Sequence, residues 1–107
     1  VHLQQRIKGE PDNYALFQAL AVCYANKGDY ESSLAQLKLL LGKTPDRPDV
    51  HYNIACMYAK LGRIDDSIKW LDLSIQKGFA DMSLLKKDSD LSSIRGTQYY
   101  RELIRKH

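Results

Sequence analysis

Three groups of side chains in this 107-residue chain are of types that do chemistry, and each can be tested against the spacing its chemistry requires. Asp88-Ser89-Asp90 opens like a calcium loop. Such a loop needs glycine at its sixth place and a bidentate glutamate at its twelfth. Those places hold Ser93 and Tyr99, so the aspartates are expected to cap helix starts instead. His2, His51 and His107 stand far apart, and Cys23 and Cys56 lack the paired spacing of a zinc site. No glycine-rich phosphate loop and no nucleophile turn is present. Asp65-Asp66 opens a helix, where negative charge complements the dipole. Catalytic residues, metal ligands and a cofactor are therefore not expected.

What remains is the chemistry of recognition. Tyr52 combines an aromatic face with a polar tip, and the Asn53 amide can both donate and accept. Asn26 and Lys60 occupy equivalent places 34 residues apart and are suited to grip carbonyls or a carboxylate.

That spacing is general. Gly28 recurs as Gly62, Tyr24 as Tyr58, Ala21 as Ala55, Ser33 as Ser67, Leu37 as Leu71 and Pro11 as Pro45, each 34 places on. A period of this length signals stacked helical units. Apolar residues recur at helical spacing and nowhere alternate with period two, which predicts an all-α chain with helices at about 13–27, 30–42, 47–61 and 64–77. Gly28 and Gly62 fall between paired helices, where a left-handed backbone is cheap for glycine. Asp29 is placed to cap the second helix of its pair, and Arg63 is a poorer cap at the matching place. The turns are short, so partners within a pair run antiparallel.

Residues 1–11 read as the second helix of a truncated repeat, with Leu3 and Ile7 in the places of Leu37 and Leu41. Full repeats follow at 12–45 and 46–79. After Gly78-Phe79 the pattern stops, and 80–107 reads as a capping segment with short helices at about 82–88 (capped by Asp81) and 98–106 (capped by Thr97). Solenoids need such an end element to cover their last apolar face.

Composition agrees. At 44% hydrophobic and 27% charged the chain is of globular type, and no apolar run approaches the roughly 20 residues of a membrane span. A net charge of +3 with scattered Lys and Arg lacks the concentrated field that nucleic acid binding needs. Two cysteines are too few for a disulfide framework and accord with free thiols in a reducing compartment.

The unit resembles the tetratricopeptide repeat. The first supplies Phe17, Leu20, Ala21, Tyr24, Ser33, Leu37 and Pro45; the second supplies His51, Ile54, Ala55, Tyr58, Ser67 and Leu71, with Phe79 replacing the proline. The resemblance implies a right-handed superhelix that holds a partner protein or peptide in a concave groove. It maps the groove onto Ala15, Gln18, Ala19, Val22, Ala25 and Asn26, then Asp49, Tyr52, Asn53, Cys56, Ala59 and Lys60. The expected partner-binding set is Gln18, Val22, Asn26, Asp49, Tyr52, Asn53, Cys56 and Lys60. These form a stripe separate from the core stripe of Phe17, Leu20, Ala21 and Tyr24. Relatives that clamp acidic chaperone tails use a Lys, Asn and Arg set here. Asn53 alone matches, so a more apolar groove is expected, with Val22, Ala25, Cys56 and Ala59 open. The alternatives are a regulatory module of a larger enzyme, and weak self-association through the incompletely covered N-terminal face.

Overall fold

The computed structural model describes residues 13–107, which form seven α-helices and one 3-10 turn. The half unit expected at 1–11, with Pro11, lies outside the described residues. The first antiparallel pair is α1 (Tyr14–Asn26) and α2 (Tyr30–Lys43), and the second is α3 (Pro48–Lys60) and α4 (Ile64–Gln76). The terminal segment follows as α5 (Met82–Lys87), a 3-10 turn (Ser89–Leu91), α6 (Ser92–Arg95) and α7 (Gln98–Lys106). Each helix packs on its sequence neighbour through the first two pairs, so α2 lies between α1 and α3.

Local chemistry sets the boundaries. Asp29 accepts from the Ser32 amide at 3.1 Å, Asp81 from Leu84 at 2.9 Å and Thr97 from Tyr100 at 3.2 Å, each satisfying an otherwise orphaned helix-start donor. Arg63 makes no capping bond and instead pairs with Asp66 at 2.7 Å. Pro48 sits in the first turn of α3, where its missing N–H costs nothing. Gly28 and Gly62 adopt φ of +79° and +76°, and the following amides return to Tyr24 O and Tyr58 O, each at 2.9 Å. These are glycine-terminated helix ends that recover orphaned carbonyls.

The core runs between the layers. Leu40, Ile54, Ala55, Leu71, Leu85, Leu91 and Ile94 are fully buried. Small residues work as expected: the Ser67 hydroxyl donates to Ala55 O at 2.8 Å, bringing α4 close against α3. The repeat step also outlasts the repeat residues. Helices begin at Tyr14, Pro48 and Met82, and again at Tyr30, Ile64 and Gln98, at one 34-residue interval. Gly96 keeps that step after Gly62. The pattern of residue types lapses at Phe79, whereas the spacing of helix starts does not. In the third unit the first helix breaks into α5, the 3-10 turn and α6, which bends the segment onto α3 and α4.

Candidate functional site

A cavity of about 220 Å³ opens between α1, α2 and α3. α1 contributes Gln18, Ala21, Val22, Ala25 and Asn26; α2 contributes Ser33 and Leu37; α3 contributes Asn53, Cys56 and Met57. Asp90 of the 3-10 turn completes it. Val22 is 57% exposed, a high value for a valine on a helix face, while Cys56 and Met57 form a buried floor.

Five of the eight expected partner-binding residues therefore meet at one place: Gln18, Val22, Asn26, Asn53 and Cys56. The other three are engaged within the chain. Asp49 receives Arg47 at 2.6 and 3.2 Å and Gln18 at 3.4 Å, which ties α1 to the start of α3. Burial of Asp49 opposes its charge, but the Arg47 bonds outweigh this and hold its carboxyl below the ordinary carboxylate range. Lys60 stands 3.5 Å from Asp90 and lies over the Tyr30 ring at 6.0 Å.

Tyr52 requires a correction. Rather than offering an open aromatic surface it is 4% exposed, stacked on Phe79 with ring centroids 4.4 Å apart. Its hydroxyl donates to Asp88 Oδ2 at 2.7 Å. Burial first, and that bond second, push the Tyr52 hydroxyl far above its usual range, so it remains a donor. Cys56 and Ala59, expected open, are likewise buried, because the terminal segment lies on this stretch of α3. Ser93 donates to Ala59 O at 3.1 Å within the same contact.

The residues that sequence reasoning missed are thus Phe79, Asp88 and Asp90. Asp88 is the expected cap, accepting from the Asp90 amide at 2.9 Å, but its second oxygen fastens Tyr52. Gly96, in step with Gly28 and Gly62, was the available signal that a third unit returns toward the groove.

Cys56, Asp88 and Asp90 bring ligand-type atoms within 4.8 Å of one another. Their chemistry does not suit a metal ion. Burial, then the two neighbouring carboxylates, push the Cys56 thiol far up, so it stays neutral and donates weakly to Asp88 at 3.9 Å. Asp88 is already committed to Tyr52, and the Lys60 ammonium stands at Asp90. The cluster is a polar strut holding the terminal segment to α3. His51 is a core residue, its Nδ1 2.7 Å from Arg47 O and its ring 5.7 Å from Trp70. His107 meets Asp72 at 2.7 Å.

Among the described residues no helix is long and apolar enough to cross a membrane. Residues 1–55 match a tetratricopeptide repeat profile, and residues 48–76 match a second profile of the same description. The chain is 28% identical over 85 residues to a chloroplastic protein of Arabidopsis thaliana, an alignment covering 77% of this chain and 25% of that protein. It is 28% identical over 104 residues to Tetratricopeptide repeat protein 13 of Homo sapiens, covering 92% of this chain and 11% of that one. It thus spans a quarter or less of the relatives it matches. The repeat step, the paired helices and the profile over more than half of its length agree: the chain belongs to the tetratricopeptide repeat family.

Proposed function

We propose that this chain is a protein-interaction module that takes a partner segment in the concave groove over α1 and the near edge of α3. Repeats of this family generally mediate protein–protein interaction in non-catalytic scaffolds. The observation that carries the finer reading is an apolar cavity rimmed by the side-chain amides of Gln18, Asn26 and Asn53, with Val22 at its mouth. Those amides suit the donors and acceptors of an extended backbone, and the apolar walls suit a side chain. Because the groove is formed by packed helices, ordering costs on binding fall on the partner. In this reading Tyr52 and Asp49 brace the groove through their bonds to Asp88 and Gln18, and Lys60 pairs with Asp90 at its edge.

Affinity capture from an extract of the source cells, comparing the native chain with a Val22→Gln/Asn53→Ala variant of unchanged melting temperature, tests it. A partner retained by the native chain and lost by the variant is expected. Equal recovery of that partner by both would place binding elsewhere.

A further inference from the structure

We propose that the segment taken by this groove carries one large apolar side chain with a lysine or arginine close beside it, and that Asp90 reads the basic group. The inference rests on the groove being the binding surface and adds what the surface selects. Size argues for the apolar part. A dry cavity of about 150 Å³ suffices for benzene, and the space here is about 220 Å³. One leucine, methionine or phenylalanine side chain fits, against Ala21, Val22, Ala25, Leu37 and Met57. An ionised group set among those walls would be stripped of water without a partner, which is costly.

Charge argues for the basic part. Among the described residues Asp90 supplies the one carboxylate lining the cavity, and it is held in place because its amide is bonded to Asp88. The Asp88 carboxylate lies in the same cluster, and no cation pairs with it among the described residues. Lys60, at 3.5 Å from Asp90, is the cation paired with either group. Two carboxylates against one ammonium leave the Asp90 and Cys56 side of the cavity locally negative, although the whole chain carries +3. Apolar walls beside such a charge strengthen its field. An acidic segment is repelled there, and a basic one is attracted. The selecting charge comes from the terminal segment, not from the repeats that form the walls.

The test selects randomised dodecapeptides displayed on phage against the intact 107-residue chain, then titrates the synthetic consensus peptide against native and variant chains. Enriched peptides are expected to share a large apolar residue with Lys or Arg within two positions. Asp90→Asn is expected to weaken the consensus peptide about three- to fivefold and to remove most of the salt dependence, the scale of a partly exposed ion pair. Lys60→Gln, which removes the competing cation, is expected to tighten it by about the same factor. A damaged fold would not produce that gain. Val22→Gln/Asn53→Ala is expected to weaken every enriched peptide at least about tenfold. Enrichment of acidic or uncharged flanks, or indifference to both Asp90→Asn and Lys60→Gln, would overturn the basic preference while leaving the groove. Peptides indifferent to Val22→Gln/Asn53→Ala, or no enrichment at all, would overturn the groove reading and this inference with it.

Discussion

Matching faces of α1 and α3 hold equivalent repeat positions in opposite states. Val22 and Cys56 correspond, yet one is 57% exposed and the other 3%. Gln18 corresponds to Tyr52: the first stands at an open cavity and the second is sealed beneath Phe79 and Asp88. Their helices begin at matching places and end on matching glycines. The difference lies in the neighbouring unit on the C-terminal side of each. After the first pair comes a regular pair whose α3 packs on α2; after the second comes a broken unit whose 3-10 turn and α6 pack on α3. In a solenoid the repeat position decides which way a side chain points, and the next unit decides whether anything can reach it.

The contrast can be broken most forcefully at Leu91, which is fully buried in the terminal segment. Leu91→Ala is expected to cost about 2–5 kcal/mol by urea unfolding, the range for emptying a buried leucine site. Val22→Ala, at the open face, is expected to stay within about 0.5 kcal/mol in the same assay. A comparable loss at both positions would mean the two faces are equally covered.

Tyr52→Phe keeps the Phe79 stack and removes the bond to Asp88. A loss of about 1–2 kcal/mol is expected, since a hydrogen bond to a charged group disappears. No change in the unfolding midpoint would show that the strut contributes nothing.

Glycine sharpens the comparison of units. Gly28 and Gly62 sit at φ of +79° and +76°, whereas Gly96, at the same repeat step, has φ of −84°. An added Cβ meets nothing within 4 Å at any of the three, so backbone conformation alone decides the outcome. Ala at Gly28 or Gly62 is expected to destabilise by about 1 kcal/mol, and Gly96→Ala to stabilise by about 0.4–1 kcal/mol, each read as a shift in melting temperature.

The smallest effect belongs to Asp72, which joins α4 to α7 through Lys106 at 2.9 Å and to the chain end through His107 at 2.7 Å. Burial opposes its charge, but the His107 and Lys106 bonds outweigh it and lower its pKa. A carboxyl with a lowered folded pKa contributes stability that is fully present above the unfolded value of about 4. That stability is lost as pH falls through the folded value. Asp72→Asn is therefore expected to lower the melting temperature slightly at pH 7 and to converge with the native chain as pH falls through the lowered folded value.

Helix starts and ends were legible because they depend on neighbours in sequence. Asp29, Asp81 and Thr97 cap as their residue types require, and the helix from 98 to 106 falls where its stripe of Tyr100, Leu103 and Ile104 places it. That Gln18, Val22, Ala25 and Asn26 share one face of α1 was legible for the same reason. The fate of Tyr52 was not, because periodicity identifies the face of a helix and says nothing of what comes to lie on it. The 3-10 turn and α6 escaped as well. Their short length carries no periodic signal, and they are held by burial of Leu91 and Ile94 against distant helices.

Thiol modification under native conditions tests the central claim, that the terminal segment closes the face of α3 and leaves that of α1 open. Cys23 is exposed and Cys56 buried, so mass spectrometry can time each within one sample. Lack of access and the raised pKa of Cys56 both come from the covering segment. Cys23 is expected to react quickly, with Cys56 protected at least about a hundredfold in the native chain and much less in Leu91→Ala, because a destabilised cover opens more often. Equal rates for the two thiols in the native chain would contradict the account.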